Sequence, residues 1–172
     1  VLGPQMQSVG EAMAIGRTFP ESLQKGIRSL EQGRFGLNAD AGELQYRQET
    51  TDDLLEQIAI PTPERLFQIA ELMRRETGLQ AIYSACEIDP WFLDQMMIII
   101  EERIALEGKA PSALSARHWK RVKQLVFSDA QIAYLTDCSE GDVRVARLSQ
   151  GIRATFKTVD TCAAEFDAVT PY

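Results

Sequence analysis

The chain has 172 residues, of which 45% are apolar and 25% are charged, and its formal net charge is -7. This composition is typical of a soluble globular protein with one compact domain and room for a small appended piece. The acidic balance argues against a general nucleic-acid or anionic-membrane binder, because both partners repel a negative surface.

Residues that carry reactive chemistry are few. The cysteines Cys86, Cys138 and Cys162 are widely spaced and form no Cys-x-x-Cys pair, so the sequence indicates neither a disulfide framework nor a zinc site. A reducing cytoplasm fits them best. His118 is the single histidine, and no phosphate-loop, nucleophile-elbow or dinucleotide-binding motif occurs. We therefore expect no catalytic, cofactor-binding or metal-binding residues in this chain.

The two ends suggest a piece of a longer protein. The chain begins at Val1 without methionine or a basic signal-peptide region, and it ends at Tyr172. The apolar run Met96–Ile100 is much shorter than the roughly 20 residues that span a bilayer, so we expect no membrane helix.

The first fifty residues mix several local patterns. In the segment Gln7–Arg17, several apolar residues lie an even number of positions apart, as on one face of a strand. This spacing predicts a strand there, although a helix is also possible. Thr18 and Glu21 have the spacing of a capping box, which predicts a helix that stops near Gly33. Residues 34–50 are polar without a clear period, so we predict a long surface connection and a domain boundary there.

The rest of the chain has the signals of short capped helices. After residue 151, apolar and polar residues alternate over 152–157, which predicts an extended strand or arm. Capping residues and apolar stripes predict helices at about 51–59, 62–73, 79–85, 89–106, 114–126, 129–135 and 140–149.

The sequence of these helices also contains a weak internal repeat. Two copies of a helix-turn-helix unit would be a sensible way to build an all-α domain, but three matching positions also arise by chance. The matching pairs, fifty positions apart, are Ile82 and Ile132, Asp89 and Ser139, and Leu93 and Val143.

The run Met96–Ile100 leaves two interpretations open. A helix that is apolar on every side is buried when other helices surround it. Alternatively, one row fills the core while the remainder forms a patch for another subunit, since large exposed apolar patches are rare in monomers.

A rival interpretation is DNA binding. Residues 127–151 resemble the two recognition helices of a helix-turn-helix, and Arg117, Lys120, Arg121 and Lys123 precede them. Glu140 and Asp142, however, would place carboxylates at the helix start that approaches phosphates. The sign of that charge disfavours DNA binding.

Other ionisable residues have an ordinary interpretation. We expect His118 to be a surface or semi-buried histidine. Neighbouring carboxylates on a helix point about 100° apart and do not converge on one proton or metal. Solvated helix faces are therefore expected for the pairs Asp52 and Asp53, and Glu101 and Glu102.

Several uninterrupted blocks resemble the large chain of carbamoyl phosphate synthetase. They are SVGEAMAIGRTFPESLQKGIRSLE, IPTPERLFQIAELMR, IDPWFLDQ, FSDAQIAYLT and VDTCAAEFDAVTPY. The resemblance departs from the family pattern at Met97 and Ile98, where acidic residues are expected, and at Phe156 and Thr158, where tyrosine and arginine are expected.

This resemblance implies a non-catalytic, all-α bundle of short helices, with extended segments at both ends, between two ATP-grasp halves. It implies three parts: residues 1–33 close the first half, 34–151 form the helical oligomerization domain, and 152–172 lead into the second half. A free-standing helical adaptor remains the other alternative to DNA binding.

The same resemblance implies a parent enzyme that makes carbamoyl phosphate from bicarbonate, glutamine-derived ammonia and two ATP. That ligase would use Mg or Mn and bind a small glutaminase subunit. Met6 and Val9 would lie beside a carbamate conduit. We predict that Trp91, Met97 and Ile98 form the surface through which the helical domain self-associates.

Overall fold

The computed structural model describes residues 11–156, 158, 160 and 165, and these residues form an all-α fold, as predicted. Apart from Thr158, a single bridged residue, the described part of the chain contains no β-structure. The α-helices are α1 (Phe19–Ser29), α2 (Thr51–Ile58), α3 (Arg65–Arg74), α4 (Leu79–Cys86), α5 (Pro90–Leu106), α6 (Ala116–Gln124), α7 (Asp129–Thr136) and α8 (Glu140–Ser149), with 3-10 helices at Ala41–Gln48 and Pro111–Ala113.

Side-chain caps set where most of these helices begin. Ser128 and Ser139, both predicted caps, each accept a hydrogen bond from the backbone amide three residues later. At α1, Thr18 accepts from the amide of Glu21, but the Glu21 carboxylate accepts from the amide of Arg17, so the predicted capping box is only half formed.

Two other predicted helix starts differ from the structure by a few residues. The cap of α2 is Thr50, which forms a capping box with Asp53. Helix α3 begins at Arg65 and has no side-chain cap, although Pro63 favoured an earlier start.

The helices α3, α4 and α5 are repeated by α6, α7 and α8. Residues 79–86 of α4 and 129–136 of α7 correspond at an offset of 50 residues. A left-handed residue follows α4 at Glu87 (φ 54°) and α7 at Asp137 (φ 50°). The weak repeat in the sequence therefore corresponds to a repeat in the structure. We name α3–α5 the first unit and α6–α8 the second unit.

The repeat extends to backbone hydrogen bonds and burial. The amide of Thr77 donates to the carbonyl of Leu72 over 3.0 Å, and the equivalent bond from Phe127 to Val122 measures 3.3 Å. Four equivalent pairs are fully buried at 0% exposure, namely Ile69 and Trp119, Leu72 and Val122, Ile82 and Ile132, and Leu93 and Val143. The same positions thus form the core of both units.

Helix α5 lies at the centre of the fold and contacts α1, α3, α4 and α7. Within its apolar run, Met96, Ile99 and Ile100 are buried, whereas Met97 and Ile98 are half-buried. The structure therefore supports both interpretations in part, because one side of the run is core and the other is partly open.

The prediction of a surface connection over residues 34–50 is wrong. Residues 36–40, which we name the buried loop, are all buried, and a 3-10 helix follows. Burial is possible because side chains satisfy the backbone: Gln24 accepts from Leu37, Glu43 accepts from Ala39, and Gln131 donates to the carbonyl of Asn38.

The described residues at the two ends lack regular structure. Residues 11–17 form no strand, so that part of the strand prediction is wrong, and the segment instead lies along α1, where Lys25 donates to the carbonyl of Ile15. Residues 152–156 are also irregular. Nowhere in the described ranges is a helix both long and apolar enough to cross a bilayer.

Candidate functional site

The described residues contain few side chains with reactive chemistry. Among the described residues, no group of three or more histidine, cysteine, aspartate or glutamate side chains could hold a metal ion. Of the cysteines within those residues, Cys86 is buried and Cys138 is half-buried, and both are free thiols. The outer side of α5 is the candidate binding surface, because it carries large exposed apolar side chains such as Trp91.

The outer side of α5 has three rows. An α-helix turns about 100° per residue, so Trp91 and Ile98, seven residues apart, lie in one row. Asp94 and Glu101, both exposed, form the next row, which we name the acidic strip. Met97 lies beyond that strip, about 100° from Ile98. The three residues predicted for self-association are thus divided between two edges of α5.

An aromatic cluster marks the first turn of α5. Phe19 of α1 lies 5.6 Å from Trp91 and 5.2 Å from Phe92, and the two α5 rings lie 5.0 Å apart, all edge to face. Trp91 is 52% exposed and Phe92 is 42% exposed. This arrangement docks α1 onto α5 and leaves much aromatic surface uncovered.

The repeat shows that this cluster is not required by the three-helix unit. The positions equivalent to Trp91 and Phe92 in the second unit are Gly141 and Asp142, and α8 forms there without aromatic residues. The pair therefore serves a purpose particular to the first unit, either docking α1 or binding another molecule.

A cleft of about 370 Å³ lies between α1, α5 and α6. Ile98 contributes its α5 wall, and Arg121 contributes from α6. The remaining lining residues are Arg17, Thr18, Glu21, Gln124 and Leu125. The cleft combines aliphatic surface with ion-paired groups, because Arg17 pairs with Glu21 and Arg121 pairs with Glu102.

The expectation that Glu102 belongs to a solvated face is wrong. Its carboxylate is 3% exposed, accepts from Arg121, and lies 2.7 Å from Nε2 of His118. His118, expected to be a surface or semi-buried residue, has a side chain that is 25% exposed and is oriented by this acid. Glu101, in contrast, is exposed as predicted. The pairing joins α5 to α6.

Helix α6 presents a positive surface that is only partly compensated, because Arg121 pairs with Glu102. Its nine residues include no acid, and Arg117, Lys120 and Arg121 are exposed. We name these three residues the basic strip. Lys123 is not part of it, because its ammonium binds Asp129 and the carbonyl of Phe127. Within the described residues, Arg117 and Lys120 form no ion pair.

A largely covered ion pair in the second unit lies at the positions equivalent to Met97 and Leu79 of the first unit. Arg147 donates to Asp129 over 2.8 Å, with side chains only 12% and 10% exposed. Burial raises the pKa of Asp129, but hydrogen bonds from Arg147 and Lys123 outweigh it and hold this pKa below 3.8. The equivalents in the first unit are Met97 and Leu79, both half-buried and packed on the core.

The geometry does not support the DNA-binding alternative. Glu140 and Asp142 are exposed at the start of α8, and Asp142 completes a capping box with Ser139. A recognition helix would have to bring these carboxylates towards phosphates, which repel them.

Met6 and Val9, the predicted conduit residues, lie outside the described residues. Phe19 is not among the residues predicted for this surface, because a phenylalanine between Thr18 and Pro20 indicates only the start of a helix and not which rings it contacts. Long-range pairs such as Glu102 and His118 have no sequence signal, because charge alone does not reveal which side of a helix is covered.

The comparisons with known proteins agree with this helical architecture. A family profile described as carbamoyl-phosphate synthetase large chain, oligomerisation domain, matches residues 11–151. The chain is similar to the carbamoyl phosphate synthase large chain of a Synechocystis strain, with 44% identity over 172 residues, covering 100% of this chain and 16% of the relative.

Two further relatives bear the same description. The protein from Archaeoglobus fulgidus is 41% identical over 181 residues, covering 100% of this chain and 16% of the relative. The protein from Renibacterium salmoninarum is 45% identical over 167 residues, covering 97% of this chain and 15% of the relative. The chain therefore spans about 16% of the length of the first relatives it matches.

Proposed function

The chain belongs to the carbamoyl-phosphate synthetase large-chain family and contains its oligomerisation domain, and on that premise we propose that its helical region joins copies of a longer polypeptide. The observation that carries this proposal is the open side of α5. Trp91 is 52% exposed, and Met97 and Ile98 are only partly covered by the chain itself. Large apolar side chains exposed together are typical of binding surfaces.

The amount of surface required is modest. A stable protein–protein contact covers roughly 800 Å² on each partner. Aromatic residues near the centre of such a contact supply much of its binding energy. The aromatic cluster and the neighbouring rows of α5 have this character, with Trp91 as the most exposed anchor. In the parent protein, flanking ATP-grasp halves would be attached at both ends of the helical region.

The proposal for the parent protein follows from the family. It is an ATP-dependent ligase that makes carbamoyl phosphate from bicarbonate and glutamine-derived ammonia, with Mg or Mn, a small glutaminase subunit and a cytoplasmic location. Catalytic residues would then lie in the flanking halves, while the helical region acts as a rigid spacer. Purified parent protein would be assayed for ATP-dependent carbamoyl phosphate synthesis; inactivity with glutamine and with ammonia would reject this assignment.

The test of self-association uses the intact polypeptide. Met97→Glu with Ile98→Glu places two carboxylates on the open side of α5 and should lower the mass measured by light scattering. Val145→Glu is the matched control, because Val145 is 71% exposed on α8, away from the proposed surface. An unchanged mass in the double variant, with native helical content, would reject this surface.

We also propose a conduit role for Met6 and Val9, supported only by the resemblance of their sequence block to the family. A bulky charged residue at either position should uncouple the two ATP-dependent steps in the parent enzyme. Full coupling between ATP hydrolysis and product formation in such variants would remove this role.

A further inference from the structure

Three charged residues of the second unit occupy positions that are apolar in the first unit. At the offset of 50 residues, the equivalents are Lys123 and Met73, Asp129 and Leu79, and Arg147 and Met97. The three apolar residues pack in or against the core of the first unit. A three-helix unit therefore forms without these charges, so their purpose lies in what the second unit contacts.

One contact is with the segment that follows α8, residues 150–156, which we name the exit segment. Arg147 donates through Nε and Nη2 to the Asp129 carboxylate and through Nη1 to the carbonyl of Ile152, over 2.8 Å. The amide of Ile152 donates to the carbonyl of Arg147 over 3.2 Å. In the first unit the chain is still helical at the equivalent position, because α5 continues to Leu106. The arginine therefore binds the chain where it leaves the last helix.

The turn between α6 and α7 connects the same charges to α1. Lys123 donates to Asp129 over 2.9 Å and to the carbonyl of Phe127 over 2.6 Å. Arg28 of α1 donates to the carbonyl of Val126, the preceding residue, over 2.7 Å. Within the described residues, the guanidinium of Arg28 forms no ion pair, so its bonds to backbone carbonyls are its polar contacts.

Helix α1 also binds the segment that enters the helical region, residues 11–17, which we name the entry segment. Lys25 donates to the carbonyl of Ile15 over 2.9 Å, and Glu21 accepts from the amide of Arg17 over 3.0 Å. A series of contacts therefore runs from the entry segment through α1 and the α6–α7 turn to the exit segment. None of these contacts involves the first unit.

We propose that Lys123, Asp129 and Arg147 form a clamp that positions the exit segment relative to α1, so that the two ends of the helical region are fixed to one rigid body. Gly151, with φ 71°, lies between α8 and Ile152, and a glycine backbone does not by itself set the direction of the chain. The arginine contact sets it instead. This inference rests on the proposed role as a rigid spacer and identifies the residues that make the spacer rigid.

A variant of the intact polypeptide in which the second unit copies the first tests the clamp. Its changes are Lys123→Met, Asp129→Leu and Arg147→Met. The helices should still form, because the equivalent apolar residues pack in the first unit. Hydrogen exchange in residues 150–156 should become about tenfold faster, since a charge-assisted hydrogen bond is lost, while α6, α7 and α8 keep their protection.

A second measurement follows the two ends directly. Dyes attached through unnatural amino acids at Glu11 and Arg153, both exposed, report the distance between the entry and exit segments by single-molecule energy transfer. The distance distribution should be broader in the clamp variant than in the wild type. Arg144→Met is the matched control, because it removes an exposed arginine of α8 outside the clamp, and it should change neither measurement.

The outcomes separate the clamp from the proposed self-association. Unchanged exchange in the exit segment, or an unchanged distance distribution, in a folded clamp variant would overturn the clamp. General loss of helical protection would also overturn it, because the charges would then be needed for folding. Light scattering of the same samples measures assembly independently: the clamp variant should keep the wild-type mass, and a single-copy wild type would overturn self-association alone.

Discussion

Gln24 of α1 and Gln131 of α7 bind consecutive residues of the buried loop, although the two glutamines are 107 positions apart in the sequence. Gln24 accepts from the amide of Leu37 over 3.0 Å and donates to the carbonyl of Leu125 over 2.8 Å. Gln131 donates to the carbonyl of Asn38 over 2.8 Å. Both glutamines are fully buried, so the loop joins α1 to the second unit through polar contacts that water does not reach.

Gly36 should be intolerant of a side chain. A Cβ atom there would overlap Oε1 of Gln24 and approach Nε2 of Gln131 to 2.8 Å. Gly36→Ala should therefore destabilise the helical region by about 1–3 kcal/mol, as overpacked buried sites do. Hydrogen exchange in the intact polypeptide would show this as lost protection at the amides of Leu37 and Ala39.

The matched control for that prediction is Gly141→Ala. A Cβ atom at Gly141 meets only Oγ of Ser139, at 3.5 Å, and this position lies inside the exposed first turn of α8. Alanine favours helix over glycine, so this variant should be neutral or more stable by up to about 1 kcal/mol. Equal protection losses in both variants would contradict the account of the buried loop.

Glu102 and Glu101, adjacent on α5, should respond differently to the same change. Glu102→Gln removes a buried negative charge that binds His118 and Arg121, and should cost about 1–3 kcal/mol. Glu101→Gln changes an exposed carboxylate and should alter stability by less than about 0.5 kcal/mol. Urea unfolding followed by hydrogen exchange of peptides from α5 and α6 measures both. Similar effects would refute the buried pairing.

Acid should weaken the second unit through Asp129. The pKa of its carboxyl is held below 3.8 in the fold, so ionised Asp129 stabilises the folded state fully above about pH 5. That contribution is lost as the pH falls through the folded pKa. The stability difference between wild type and Asp129→Asn should therefore shrink on acidification, and should be smaller at every pH when Arg147→Met is also present.

The repeat predicts that an ion pair of the second unit can be exchanged for its apolar equivalent. Arg147→Met leaves Asp129 with Lys123 as its remaining partner, whereas Asp129→Leu leaves both Arg147 and Lys123 without this carboxylate. Each single change should cost about 3 kcal/mol at most. The double variant copies Leu79 and Met97 of the first unit, and should cost less than the two single changes together. A double-mutant cycle on thermal unfolding decides this; additive effects would count against equivalent packing at the two sites.

Much of the helical architecture could be predicted because its signals are local. Ser128 and Ser139 begin α7 and α8 as caps do, and Asp89 before Pro90 begins α5. These effects depend on neighbours in sequence, so propensity and spacing suffice to find them. The all-α class and nearly every helix were predicted correctly for the same reason.

The buried loop could not be predicted because its stability comes from distant residues. Asn38 and Asp40 look like surface residues, but the Asn38 carbonyl accepts from Gln131, and the Asp40 carboxylate accepts from Arg34. A local signal existed at Asp40 and Glu43, which have capping-box spacing and begin the 3-10 helix. The exposure of Trp91 likewise depends on where α1 docks, which no period within α5 reveals.

The mass of the intact polypeptide as a function of concentration tests the central claim most directly. Sedimentation equilibrium from nanomolar to micromolar concentrations should show a rise from one copy towards two or more. A single-copy mass throughout that range would contradict self-association through this helical region.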